Sequence, residues 1–273
     1  MPELPEVETV ARGVGACADG ETIIAVETGS KPQTFKSLPA LLAETLTGAR
    51  IDQVHRVGKA IAFDLTRKTS NGKKSFAQFM VHLGMTGRLL VSSPGAPRAA
   101  HTHAILTLSN GQEVRFVDPR RFGRLWVLDH PYIGPGREPL TIPLDEFIAL
   151  FRNRKTSIKA ALLNQSLLHG VGNIYADEAL FRAGIRPRRR AGRLTREELS
   201  RLRTSLIKVL RAAIKLGGSS VSDYVDAAGS IGFFQLHHKV YQRTGQSCRS
   251  CGAAIQRIVL AGRSTHFCPV CQK

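Results

Sequence analysis

Four of the chain's five cysteines stand at its C-terminal end as Cys248-x2-Cys251-x16-Cys268-x2-Cys271, a spacing that constrains the fold more than any other feature. Two CxxC pairs at this separation can wrap one tetrahedral zinc and leave no position open for water, so the metal has a structural task. Two disulfides are the competing reading, and a reducing compartment disfavours them. Between the pairs, Ile255 to Leu260 and Thr265 to Phe267 read as strands around Ala261-Gly262-Arg263-Ser264. The expected unit is a metal-closed β-hairpin with Arg263 at its tip. Cys17 stands alone in the first predicted helix and reads as packing.

The rest of the chain changes period partway along. From about residue 20 to 130 the runs are short and strand-like. Ile61, Phe63 and Leu65 alternate, and Phe76 to Leu83 and Arg88 to Val91 flank Gly84-Met85-Thr86-Gly87. Thr102 to Leu108 and Glu113 to Val117 flank Ser109-Asn110-Gly111-Gln112, and Arg124 to Leu128 follows. Such runs predict a β-sandwich or barrel. Pro131 to Gly136 breaks the pattern, and beyond it the period is helical. A helix is expected over Leu144 to Phe151, a second from a Thr156 or Ser157 cap to Leu168, and a third from Asn173 to before Gly184. Leu199, Leu202, Leu206, Leu210 and Ile214 then follow a Thr195-Arg196-Glu197-Glu198 capping box. The expected limits are 2–133 for the sandwich, 134–146 for a linker, 147–237 for the helices and 238–273 for the zinc hairpin.

Charge narrows the partner. The sequence has 39 Lys+Arg against 21 Asp+Glu, a formal net charge of +18, which points to a polyanion: nucleic acid or an acidic membrane. No apolar run has spanning length and the acidic start is unlike a targeting segment, so an intracellular protein that meets nucleic acid is expected. A basic structural protein shares this composition, so charge alone does not indicate an enzyme. The start of the chain does suggest one. Met1-Pro2-Glu3-Leu4-Pro5-Glu6-Val7-Glu8 has a small second residue, which normally lets Met1 be removed and leaves Pro2 with a secondary amine. A generic terminal amine has a pKa of roughly 7.7–8.0 against about 10.4 for lysine, so far more of it is unprotonated near neutrality. Its attack on an aldehyde carbon gives an iminium with no N–H to lose, an electron sink. The same residues also read as a helix start, with Pro5 and the glutamates in the first turn and Val7, Val10 and Val14 on one stripe. The two readings agree, because a catalytic amine needs a rigid mount.

Five motifs occur in order: Met1 to Thr9, His82-Leu83-Gly84-Met85-Thr86-Gly87, Asp118-Pro119-Arg120-Arg121-Phe122-Gly123, Gly170 to Glu178, and the four cysteines. Together they closely resemble the bacterial formamidopyrimidine-DNA glycosylases, repair enzymes for oxidised purines, over nearly the whole chain. Leu4, where the sister endonuclease VIII enzymes usually have glycine, favours the purine branch. The resemblance implies an α+β multidomain fold: an N-terminal β-sandwich with a leading helix, a helix–two-turn–helix domain and a C-terminal zinc β-hairpin. It also implies one structural Zn2+ on Cys248, Cys251, Cys268 and Cys271.

The activity implied is that of a bifunctional DNA glycosylase and apurinic-site lyase of base excision repair, acting on formamidopyrimidines and 8-oxoguanine. Pro2 matches the nucleophile that attacks C1′ and expels the base, and Glu3 matches the acid that helps open the sugar ring. Glu6 reads as a supporting carboxylate or cap. Lys59 aligns with the lysine of β-elimination, and Arg263 with the arginine of δ-elimination. Phosphate contact is the favoured role for Arg263, since a guanidinium rarely gives up a proton. Met85, Arg120 and Phe122 match residues that fill the vacancy of an extruded nucleotide. His101, Arg120 and Lys155 align with DNA-contacting positions, and Asn173 is expected to cap a helix whose free N–H groups grip phosphate. The implied partner is damaged double-stranded DNA and no membrane, for a cytoplasmic, nucleoid-associated monomer. Arg186, Arg188, Arg189, Arg190 and Arg193 form a cluster that is either solvated or in nonspecific contact with DNA. Residues 227–234 fall in the lesion-covering loop and are more apolar than the family pattern. Two other readings compete: an oxidised-pyrimidine glycosylase like endonuclease VIII, and a noncatalytic zinc-finger protein that recognises distorted duplex. The last explains charge and cysteines but not the glutamate-flanked Pro2.

Overall fold

The computed structural model describes residues 1–68, 74–221 and 223–273. They divide into two compact units, Met1–Ile133 with Gly217–Phe233, and Gly134–Leu216 with Phe234–Lys273. Residues 217–233 pack with the N-terminal sheets, and the zinc hairpin packs with the helices. Val91 N–H donates to the Ala227 carbonyl at 2.9 Å, and Tyr224 and Ala227 join the buried core of the first unit.

In the first unit, helix α1 (Leu4–Ala18) starts behind Glu3 as N-cap, with Pro5 in the first turn, where a missing N–H costs nothing. Val7, Val10 and Val14 are fully buried, as their stripe predicts. Strand β1 (Ile23–Thr28) and helix α2 (Pro39–Leu46) precede β2 (Arg50–Val57), β3 (Ala60–Lys68), β4 (Lys74–His82) and β5 (Arg88–Ser92). Then come β6 (Thr102–Leu108), β7 (Glu113–Val117) and β8 (Arg124–Leu128). Helix α2 lies where strands were expected. It shows only two buried leucines, Leu42 and Leu46, too few turns for a periodic signal. The strands form two antiparallel four-stranded sheets, β1-β6-β7-β5 and β2-β3-β4-β8. Leu106 and Phe116 from one sheet and Phe63 and Val81 from the other share a single core with the valines of α1. Each such side chain contributes about 1.5–3 kcal/mol by burial, so the mount of α1 is stiff. Ala60 and Ala62 form a satellite cluster with Met80, Trp126 and Tyr132.

In the second unit, α3 is Leu144–Phe151, α4 Ile158–Leu163, α5 Asn173–Ala183 and α6 Arg196–Lys215. Ser157, not Thr156, caps α4 by accepting from Ala160 N–H. That helix ends at Leu163 rather than Leu168, because Asn164 turns the chain, its side chain accepting from Ser166 N–H and its carbonyl from Leu167 N–H. Thr195 and Glu198 make the reciprocal capping box of α6. The hairpin pairs β9 (Gln256–Leu260) with β10 (Arg263–Phe267). Its turn is Ala261-Gly262 alone, with φ of 49° and 71°, the two-residue geometry that matches strand twist. Arg263 is therefore the first residue of β10, opposite Leu260, and not the tip itself. Among the described residues, no helix is long and apolar enough to cross a membrane.

Candidate functional site

Pro2 and Glu3 are buried at the start of α1, beneath an exposed Met1. One carboxylate fixes them. Glu6, 2% exposed, accepts the Glu3 N–H at 2.8 Å through Oε2 and the Ser219 N–H at 2.7 Å through Oε1. The Tyr224 hydroxyl donates to the carbonyls of Gly217 (3.1 Å) and Glu6 (3.3 Å). Burial, reinforced by the charge of Glu6, pushes the Tyr224 phenol well above its ordinary value and keeps it a donor. Residues that lead into the expected lesion-covering segment 227–234 and the start of α1 thus share one anchor, Glu6. Within 227–234, Ile231 and Phe233 are exposed.

Lys59 lies half-buried in the β2–β3 turn, after Gly58. A residue the sequence did not single out places that turn. Arg56, nearly buried, donates from Nε to Glu8 Oε2 at 2.8 Å and from Nη1 to the Gly58 carbonyl at 3.2 Å. It ties the helix carrying Pro2 and Glu3 to the turn carrying Lys59. His82 feels the charge of the same cation. Burial first, then the charges of Lys59, Lys36 and Arg124, lower its pKa and favour the neutral imidazole. Its Nδ1 accepts the Gly84 N–H at 3.2 Å, at the head of the turn bearing Met85.

Met85 and Phe122 are 37% and 46% exposed. Their two loops meet at Asp118, which is fully buried. Asp118 Oδ1 accepts from Thr86 Oγ1 (2.5 Å) and Arg120 N–H (3.2 Å), and Oδ2 accepts from Gly123 N–H (2.7 Å). Gly84 has φ of +65°, and a Cβ there would lie 2.5 Å from the Phe122 carbonyl carbon, so no other residue fits. The Arg120 guanidinium lies 4.7 Å from the Phe122 ring centre. Exposed His101 has φ of 64°, and its carbonyl accepts from Asp118 N–H. Met85, Arg120, Phe122 and His101 therefore gather around one aspartate. Its signal in the sequence was an Asp-Pro pair opening a turn whose amides need an acceptor.

In the second unit, Asn173 is the first helical residue of α5, and Gly172 occupies the capping position. The expected cap is thus displaced by one residue, and the Asn173 side chain is released for another task. Its Nδ2 donates to Ser264 Oγ at 3.5 Å, while its buried Oδ1 has no hydrogen-bond partner among the described residues. Ser264 follows Arg263, and its carbonyl accepts from Lys159 Nζ at 2.8 Å. Lys159 Nζ lies 2.7 Å from Asp177 Oδ1, with both side chains fully buried. Asp177 Oδ2 accepts from His266 N–H at 2.8 Å. Exposed Arg263 is thereby held against α4 and α5, and exposed Lys155 lies just before α4. Glu178 accepts the N–H groups of Lys239, Val240 and Tyr241 at 2.9–3.0 Å. Burial raises its pKa against the opposing pull of those amides.

The four sulfurs of Cys248, Cys251, Cys268 and Cys271 lie within 4.8 Å of one another. Cys248 and Cys271 are 3.9 Å apart and Cys251 and Cys268 3.4 Å, far beyond the roughly 2.05 Å of a disulfide. Four thiols at such separations fit tetrahedral zinc with Zn–S of about 2.3 Å. Amides of Ser250 and Cys271 point at the Cys248 and Cys268 sulfurs at 3.4 Å, as thiolate ligands favour. Cys17 is half-buried, with none of this surrounding.

Residues 1–125 match the family described as formamidopyrimidine-DNA glycosylase N-terminal domain, and 134–225 the formamidopyrimidine-DNA glycosylase H2TH domain. Residues 245–273 match the zinc finger found in FPG and IleRS. A formamidopyrimidine-DNA glycosylase of Solibacter usitatus is 44% identical over 278 residues, covering 100% of both chains. That of Herpetosiphon aurantiacus is 42% identical over 280 residues, with the same coverage. Among solved structures, a Lactococcus lactis FPG mutant bound to DNA containing Fapy-dG is similar at a TM-score of 0.87 and 36% identity, covering 100% of each chain. The wild-type Lactococcus lactis protein bound to DNA containing an oxidised pyrimidine gives 0.87 and 37%, again over 100% of each chain.

Proposed function

The chain belongs to the formamidopyrimidine-DNA glycosylase family, and from that premise we propose that it excises oxidised purines through a Schiff base on Pro2 followed by β,δ-elimination. It is a DNA glycosylase of base excision repair, an enzyme with one structural zinc. The observation that carries the proposal is the shared grip of Glu6 on the Glu3 and Ser219 amides, a rigid mount directly beneath Pro2.

With Met1 removed, the Pro2 nitrogen forms a bond to C1′ as the base leaves with the electron pair of its glycosidic bond, and the proton released by the nitrogen goes to the departing base. Glu3 gives a proton to the sugar ring oxygen, the C1′–O4′ bond breaks, and the nitrogen lone pair closes the iminium. The iminium makes the 2′-proton acidic; its loss, assigned to Lys59, expels the 3′-phosphate. A second elimination expels the 5′-phosphate and leaves a one-nucleotide gap, with Arg263 as phosphate contact. Met85, Arg120 and Phe122 occupy the vacancy left by the extruded nucleotide, at the cost of unstacking. His101, Lys155 and Asn173 hold phosphates. Zinc, held by the four cysteines, supplies no reaction chemistry and closes the hairpin that carries Arg263. The partner is damaged duplex DNA and the protein acts as a monomer in the cytoplasm.

A second reading, excision of oxidised pyrimidines, gains support from one observation, the relative crystallised on such DNA. Cleavage of 8-oxoguanine and thymine-glycol duplexes in parallel decides between them. Faster nicking of the 8-oxoguanine strand is expected; a preference for thymine glycol reverses the assignment, and no nicking of either defeats both.

A further inference from the structure

Arg152, Arg154 and Lys155 precede α4, whereas Arg186, Arg188, Arg189, Arg190 and Arg193 fall between α5 and α6. The fold lays these two segments side by side. Ile158 N–H donates to the Arg189 carbonyl at 2.7 Å, Ala191 N–H to Thr156 at 2.9 Å and Gly192 N–H to Arg154 at 3.0 Å. The approach requires glycine at 192, since a Cβ there would lie 2.8 Å from the Arg154 nitrogen.

Three of these cations have tasks within the fold. Arg189 binds Glu198 through both guanidinium nitrogens and holds that carboxyl below its ordinary range. Arg186 lies over the Phe267 ring, and Arg154 Nε donates to the Leu150 carbonyl. The other five differ. Arg152, Lys155, Arg188, Arg190 and Arg193 are exposed, and among the described residues none is in an ion pair. The sequence has no acidic residue from 147 to 176 or from 179 to 196, so local charge is uncompensated. Like charges gathered in this way repel and cost stability unless a polyanion binds them. The apolar members of both segments, Ile158, Pro187, Ala191 and Leu194, are buried. The surface thus offers cations without a hydrophobic anchor, which suits a phosphate backbone better than a peptide.

We propose that Arg152, Arg188, Arg190 and Arg193 extend the phosphate-binding surface outward from Lys155, as a sequence-independent grip on duplex DNA beyond the lesion. The inference rests on the reading above in which Lys155 meets DNA. Its consequence is an affinity that depends on duplex length, because only a longer flank reaches the added cations.

The test is a salt titration of binding by fluorescence anisotropy, on duplexes of about 10 and about 25 base pairs with a central 8-oxoguanine. It compares the full-length protein, Arg188→Gln/Arg190→Gln/Arg193→Gln and Arg188→Lys/Arg190→Lys/Arg193→Lys. On the long duplex, the glutamine variant should weaken binding about tenfold or more at 0.1 M salt, and its log–log salt slope should fall by about 2 to 3. The short duplex should show little change, and the lysine variant should recover most of the loss. An unchanged slope on the long duplex overturns the proposal, as does an equal loss on both lengths. A lysine variant as weak as the glutamine variant also overturns it, since charge would not be the cause. Lost binding of polyglutamate with DNA binding intact would give the surface to a protein partner instead. Borohydride trapping by the unmodified protein reports on the Pro2 chemistry separately, so the two ideas can fail independently.

Discussion

The two units hold their candidate functional side chains by different physics. In the first, Pro2 and Glu3 directly precede α1 and Glu6 lies in its first turn, where its carboxylate accepts the amides of Glu3 and of Ser219, 213 residues away. Each such bond contributes roughly 1–3 kcal/mol, so this mount can be loosened in steps. In the second unit, Asn173 and Ser264, the neighbour of Arg263, are 91 residues apart in sequence. A fully buried Lys159–Asp177 pair and a metal-closed hairpin bring them together. Buried pairs give little net stability when intact but are costly to break on one side, so this arrangement holds or is lost as a whole. A site held by separate hydrogen bonds degrades gradually; one held by a buried ion pair and a metal fails abruptly.

Zinc removal is the severest challenge to that contrast. Structural zinc contributes about 10–16 kcal/mol in zinc-finger peptides, comparable to the whole stability of a domain. Chelation, or Cys251→Ser with Cys268→Ser, should abolish amide-exchange protection in β9 and β10 and weaken DNA binding roughly a hundredfold or more. The amides of α1 should stay protected. If β10 keeps its protection without metal, the second unit is not built as described.

Breaking the buried pair comes next. Lys159→Met leaves Asp177 charged in a dry interior and should destabilise the second unit by about 3–5 kcal/mol, read by denaturant dependence of exchange in α5. Lys159→Met with Asp177→Leu should recover much of that loss, and failure to do so would assign the effect to packing.

Acid provides a third probe. Burial, aided by His266 and Arg249 against a hydrogen bond at Tyr241, lowers the pKa of His238 to about 4. Unfolded, a histidine titrates near 6.5, so below that pH the unfolded chain takes up a proton that the folded unit refuses. The stabilisation is complete above about pH 6.5 and is lost as pH falls towards 4, a change of about 3 kcal/mol. His238→Phe should flatten this slope in thermal melts of the second unit and leave α1 unaffected. An unchanged slope would place the titrating group elsewhere.

The smallest effect is expected in the first unit. Glu6→Ala should cost about 1–2 kcal/mol and speed amide exchange at Glu3 and Ser219 together. If only one of the two responds, Glu6 is not their common anchor.

What could be read in advance follows the same division. The bounds of β6, β7 and β8 were legible because alternation ran between clear turns, and Val7, Val10 and Val14 marked the buried face of α1. The four cysteines specified their own cluster. Helix α2 escaped because two buried leucines carry no period, and Asn173 was misplaced by one position because a glycine can also cap. Arg56, Asp118, Lys159 and Asp177 were not assigned a role. Whether such residues are buried depends on partners from distant segments, which spacing does not encode. Arg263 was found by resemblance, yet its place beside the turn follows from the positive φ of Ala261 and Gly262.

The central claim is that the Pro2 nitrogen forms the covalent bond to the damaged sugar. Reduction of the reaction with borohydride, digestion and mass mapping of the adduct tests it directly. The account predicts the sugar remnant on a peptide that begins at Pro2, with Met1 absent. A remnant on the Lys59 peptide, or an adduct on protein that still carries Met1, would contradict it.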